Sequence, residues 1–173
     1  MRVLAAIGVL AIILAIAAGV YLFGGHYNVA ANTEDLSPVT WAIGEVREAS
    51  MDRHFHAVGE PPFKIDDPQV VKKGAHEFAE HGCVNCHGAP GAERAGFSKG
   101  LNPPPPDLKD VTDDEPAHIF WAIKNGIRMT AMPSFGKAGA SDKDIWEIVA
   151  FLKKLPQVSA ADYKSWTEQS DQK

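Results

Sequence analysis

Five consecutive residues carry the clearest chemistry in this chain: Cys83, Val84, Asn85, Cys86 and His87. Thiols spaced three apart fall on the same side of a short helical turn, so both can bond one flat ligand along one edge. His87 follows the second thiol directly, and its ring can reach a metal at the centre of that ligand from the same side. The C-x-x-C-H pattern is the attachment signature of c-type haem, whose two vinyl groups accept the thiols as thioethers. The competing readings are a disulfide, half of a zinc site and a thioredoxin-like redox pair. Cys83 and Cys86 are the only cysteines in 173 residues, so a zinc site would lack a second thiol pair. A thioredoxin-like motif needs a βαβ setting that the surrounding pattern does not supply. The residues therefore point to one covalent haem with its iron on His87.

A haem with one protein ligand can bind small molecules, whereas a second strong ligand closes it and favours electron transfer. The downstream candidates are Met129, Met132 and His118. Met132 is favoured, because it falls in a loop beyond a helix and Pro133 restricts its backbone to an extended form. Met129 is the main rival, and His118 falls early in a helix. Thioether ligation would raise the reduction potential. The four prolines at 103–106, Pro105 among them, are expected to form a stiff apolar wall along the haem edge, with no N–H groups to satisfy. The alternative for them is an exposed partner-binding motif. Trp121 has two readings: an indole N–H donor to a haem propionate, or a ring that fills the core.

These residues need elements to hold them. Residues 68–81 read as a helix with Gly74 and Phe78 four apart on one face. The glycine permits a close approach by another helix, and Gly82 ends the segment just before Cys83. Residues 88–102 read as a loop with four glycines. Thr112 to Glu115 fits a capping box that would open a helix over 113–125, with Ile119, Phe120, Ile123 and Ile127 as its apolar side and Gly126 as its stop. Ser141 and Asp144 would cap a last domain helix running to Leu155, with Ile145, Ile148, Val149, Phe151 and Leu152 as its buried face. Residues 68–157 thus form the expected haem domain, entered through a turn-rich stretch with Pro61, Pro62 and Pro68. Residues 158–173 read as a polar tail that Tyr163 and Trp166 could pin to the domain, with a fraying tip.

Before the domain, residues 3–23 form a run of 21 without a charge. As a helix this run is roughly 31 Å long, about the hydrocarbon thickness of a bilayer. It exceeds the ~7–15 apolar residues of a cleaved signal peptide. An uncleaved transmembrane signal-anchor over residues 1–23 is therefore expected, although the alanine-rich stretch at 15–18 keeps cleavage open. Arg2 precedes the run and no Lys or Arg occurs from Gly24 to Ile43, which puts the N-terminus in the cytoplasm and the rest outside. Residues 24–67 read as a tether with a helix over 38–57, opened by Ser37 and Pro38, in which Val39, Ile43, Val46 and Ser50 share a stripe. Trp41 falls off that stripe. Packing onto the haem domain is its expected role, ahead of contact with lipid headgroups or a partner. His54 and His56 have no third ligand nearby and read as surface residues. The net charge is −5, and residues 68–157 balance eleven basic against eleven acidic side chains. Nucleic acid is thus not an expected partner, and the haem region has no net charge from which to infer a partner's sign.

Taken together, Gly74 and Phe78, the C-x-x-C-H motif, the prolines before Leu108, Met132-Pro133, and Ile148 with Phe151 resemble the class I c-type cytochrome family over residues 68–157. Residues 120–133, FWAIKNGIRMTAMP, are similar to membrane-anchored bacterial monohaem cytochromes of the cbb3-type domain group. The resemblance implies an all-α class I cytochrome c fold, with three to five helices around one covalent haem c, preceded here by the transmembrane helix. Its first and last helices would cross at Gly74/Phe78 and Ile148/Phe151. It also implies an electron-transfer protein rather than an enzyme, passing single electrons between redox protein partners through an iron held by His87 and Met132. With the anchor, the expectation is a single-pass protein of the bacterial inner membrane, its haem domain in the periplasm and its role in a respiratory chain. The alternative is a haem subunit of a larger respiratory or dehydrogenase complex. A haem peroxidase or gas sensor would need an open sixth site and a distal acid/base, and no residue can be assigned to that role.

Overall fold

Residues 1–33 and 37–168 are described by the structure, a computed structural model. Among these residues every regular element is helical, as the all-α expectation requires. They divide into two units, Met1–Asp35 and Leu36–Lys173.

The first unit is dominated by α1 (Arg2–Phe23), in which no residue is buried. By length and composition it could cross a membrane. The Gly24 N–H closes its last turn on the Val20 carbonyl at 2.8 Å. Across that end, Tyr21 in the last turn stacks on His26 and meets Tyr27 edge-on, each with ring centroids 6.4 Å apart.

The second unit contains α2 (Ser37–Phe55), α3 (Pro68–Glu80), α4 (Cys83–His87), α5 (Pro116–Asn125), α6 (Asp142–Lys154) and α7 (Ala160–Glu168), with 3-10 turns at Gly96–Gly100 and Leu155–Gln157. α6 is the centre: α3 packs on one side and α5 on another, α2 covers α5, and α7 covers α3. Local sequence starts both central helices. Asp67 accepts the Gln69 N–H at 2.8 Å ahead of Pro68. Ser141 and Asp144 form the expected reciprocal capping box. All eight residues at 145–152 are buried, so α6 has no solvent face over two turns.

The α3–α6 crossing is closest at Gly74, where a Cβ would overlap the Glu147 backbone carbonyl. One turn on, the Phe78 and Phe151 rings meet at 5.3 Å and 55°. Both are fully buried, together with Ile145, Ile148 and Val149. Each such side chain contributes about 1.5–3 kcal/mol by leaving water. The expected crossing of first and last domain helices is therefore present at the residues expected.

Four local expectations are corrected. α5 begins at Pro116, without a capping box at Thr112. Proline at the first position holds Glu115 extended (φ −60°, ψ 136°), so a helix cannot start earlier. Thr112 instead donates to the Lys109 carbonyl at 3.0 Å, and Lys153 of α6 donates to the Thr112 and Asp114 carbonyls. On α2, Val46 and Ser50 are exposed, and the buried residues are Met51 and Phe55. They continue a four-residue row through Val39, Ile43 and Arg47, whose alkyl stem can join an apolar stripe. Trp41 does not pack on the domain; it is 67% exposed. The segment expected to be a polar tail forms α7, with Ser159 accepting the Asp162 N–H at 3.1 Å as its cap. Its Tyr163 is buried and stacks on Phe151 at 5.8 Å. The tip expected to fray, 169–173, lies outside the described residues.

Two predictions follow from this packing. Gly74→Ala would force α3 and α6 apart and cost about 3 kcal/mol, read as a lower urea midpoint by circular dichroism. Glu77 sits beside the start of α6, and burial, then Asp144 and Glu80, push its carboxyl above the ordinary 4.5, against His81 and His76. A raised carboxyl opposes folding above its folded value, and that opposition disappears as pH falls to 4.5. Glu77→Gln should therefore be more stable than the parent at neutral pH and indistinguishable from it below 4.5, in paired urea titrations.

Candidate functional site

The end of α3 delivers the thiols. Gly82, with φ +72°, turns the chain out of α3 directly into α4. Cys83 is buried against the domain core and Cys86 is half-buried, and the two thiols are not joined. Burial pushes the Cys83 thiol up to about 12. A redox-active pair or thiolate metal site needs the opposite shift, toward the thiolate. Among the described residues, the groups close enough to share a cation, Glu77/His81/Asp144 and His76/Glu77/Glu80, contain neither cysteine. A buried neutral thiol in apolar surroundings fits covalent attachment to an apolar group.

His87 ends α4. Its Nδ1 lies 3.2 Å from the Pro106 carbonyl oxygen. That oxygen can only accept, so Nδ1 carries the proton and the lone pair sits on Nε2. Burial lowers the His87 pKa and keeps the ring neutral, against the pull of the Pro106 carbonyl. A neutral imidazole with its second nitrogen anchored is the state that binds iron.

The proline run does this orienting, and it is braced in turn. Arg94 donates to the Pro105 carbonyl at 3.0 Å and to the Pro106 carbonyl at 3.2 Å. The peptide between Asn102 and Pro103 is cis. The run was expected to act through its apolar surface; what the structure adds is a polar role for two of its carbonyls. Pro105 meets Arg94, while Pro106 meets His87. Arg94 had no signal in the sequence, because nothing in its neighbourhood marks a basic residue that folds back eleven positions onto a proline.

Met132 lies in a closed loop after α5. The Ile127 N–H donates to the Met132 carbonyl at 3.2 Å. Thr130 donates to the Ile127 carbonyl at 2.7 Å and accepts the Met132 N–H at 3.0 Å. The Met132 peptide groups are thus held from both sides. Beyond it, the chain folds back over the end of α5: Ser134 Oγ and the Gly136 N–H donate to the Lys124 carbonyl, and the Phe135 N–H donates to that of Ile123. Gly126 allows this, since it has φ +68° and a Cβ there would lie 2.6 Å from Pro133 and Ser134 backbone atoms. Met132 is half-buried and packs on the same core as Cys83, Val84 and Phe135. Phe135 also meets His81, two residues before Cys83, edge-on at 5.9 Å. Met129, by contrast, is 66% exposed.

The other candidates lie elsewhere. His118 sits on the α2–α5 seam, edge-on to Phe55 at 5.4 Å, with Asp114 at 3.8 Å and Asp52 at 4.0 Å. Trp121 stacks on His54 at 6.0 Å and lines a groove with Val58, Phe120, Lys124 and Trp146. Cys83, Cys86, His87 and Met132 do not line that groove. His54 and His56 are exposed, as expected.

A covalent haem fits these residues: two unjoined thiols one helical turn apart and a neutral imidazole with Nε2 free. Comparison with known families agrees. Residues 69–152 match the family described as cytochrome c oxidase, cbb3-type, subunit III. No curated protein and no solved structure matches the chain. The matched segment begins at the second residue of α3 and ends within α6, so it contains the attachment helix, the proline run and the Met132 loop, and leaves out α1, α2 and α7. This segment of the chain is a class I c-type cytochrome domain, which carries covalently bound haem c and transfers electrons.

Proposed function

We propose that the chain is a membrane-anchored monohaem cytochrome that passes single electrons between redox proteins on the periplasmic face, with His87 and Met132 as its iron ligands. The haem supplies the one-electron chemistry. Cys83 and Cys86 would hold it by thioethers, and His87 Nε2 would ligate the iron while Pro106 fixes the ring. Met132 would supply the opposite ligand. The observation that carries this reading is the bracing of the Met132 peptide by Ile127 and Thr130. A thioether is a weak, neutral ligand, so a loop already held in place loses little entropy on binding. The exposed Met129 has no comparable support.

The membrane part of the reading rests on α1 and the lone Arg2 ahead of it. The positive-inside rule then favours export of everything after Phe23. A second reading, a fixed subunit of a larger oxidoreductase, is favoured by α2. That helix exposes Trp41 and Val46, although it packs on the domain through Met51 and Phe55. Purification in mild detergent separates the two, since a stable complex would overturn the free-carrier version.

Iron ligation has a direct spectral test. The oxidised protein should show the long-wavelength charge-transfer band of thioether-ligated haem. Met132→Ala should lose it and lower the reduction potential by on the order of 0.1 V, within the span of about 0.8 V that axial ligands command. Met129→Ala should keep both. A parent protein without the band would reopen the peroxidase or sensor reading. Thr130→Val removes two hydrogen bonds that hold the loop, each worth about 1 kcal/mol. The pH at which the band disappears on alkaline titration should then fall by about 1.5 units.

A further inference from the structure

α7 lies outside the cytochrome family match, yet it is built into the haem domain. It begins where Ala160 meets Gly91, four residues after His87, with a Cβ on Gly91 only 2.7 Å from that of Ala160. It then runs along α3, and Tyr163 inserts its ring into the core, parallel to Phe151. Tyr163 is 6% exposed, its hydroxyl is buried, and that hydroxyl has no hydrogen-bond partner among the described residues. A phenylalanine would fill the same space without burying an unpaired O–H, which is costly. Tyr163 and Cys83 belong to the same buried cluster. Burial raises the Tyr163 pKa, with a smaller contribution from Cys83.

We propose that α7 is a strap over the attachment side of the haem site, and that Tyr163 is a positioning residue whose hydroxyl donates toward the Cys83-linked edge of the haem. The Cys83 sulfur, as a thioether, is a weak acceptor. The donor places the positive end of its dipole at a site that gains an electron on reduction, so it favours the reduced protein. The ring and the helix meanwhile keep water from that edge. Both effects raise the reduction potential. The proposal rests on covalent haem at Cys83 and is independent of which residue supplies the opposite ligand.

The test uses the full-length, haem-loaded protein. Tyr163→Phe should keep the parent's unfolding midpoint, lower the reduction potential, and shift the carbon–sulfur vibrational bands of the haem in resonance Raman spectra. Tyr163→Leu should show the same shifts and a lower unfolding midpoint as well. In the parent, transfer to D2O should move the carbon–sulfur bands, and in Tyr163→Phe it should not. A parent-like potential and parent-like bands in Tyr163→Phe would overturn the proposal, leaving the ring as core packing only. So would parent bands insensitive to D2O. The long-wavelength thioether band, recorded in the same samples, reports on Met132 separately.

Discussion

The contact of the Glu147 carbonyl with Gly74 sets the spacing from which the haem site is built. It lets two helices approach at backbone distance and lets Phe78 and Phe151 interlock one turn further on. Once that crossing is in place, the end of α3 is fixed, and with it the point where Gly82 turns the chain into the attachment helix. The start of α6 is fixed too, and it carries Ala140 and, through the preceding loop, Phe135. Because packed interiors tolerate little extra volume, a shift at this crossing would propagate to Cys83 on one side and to the Met132 segment on the other.

Around that frame, polar backbone groups aim the two ends of the site. His87 is held through Pro106, and Pro106 through Arg94. Met132 is held through Ile127 and Thr130. In each case a carbonyl or hydroxyl restrains the group that would bind, which limits the conformational entropy lost when it does. The prolines suit the first role because they have no N–H that would compete for the same carbonyls. The threonine suits the second because one hydroxyl can donate and accept at once.

The elements added to the cytochrome domain follow a different logic. α2 and α7 attach through few anchors: Met51 and Phe55 in one, Tyr163 in the other. Such helices gain most of their stability from tertiary packing rather than from intrinsic propensity. That explains why a charged, serine-rich stretch like 159–168 can fold as a helix here and still read as a tail. Its cap, Ser159 with Asp162, is a local signal that only becomes decisive once Phe151 offers Tyr163 a surface.

The attachment motif and the main helix crossing are both written locally in the chain. The spacing of Cys83, Cys86 and His87, the Gly74/Phe78 pair, the Ser141–Asp144 cap and the Gly126 stop all act over a few residues, so they can be read in order along the chain. The start of α5 is local too: Pro116 constrains its neighbour regardless of fold, and so overrides the Thr112 pattern. Other features were decided only in three dimensions. Arg94 reaches Pro105 and Pro106, Lys153 reaches Thr112, α2 turns its Met51 row inward, and Tyr163 enters the core beside Phe151. Each joins residues distant in the chain, or chooses among faces that composition leaves nearly equivalent. Such choices are made by shape and by unsatisfied backbone groups, which exist only after the helices have met.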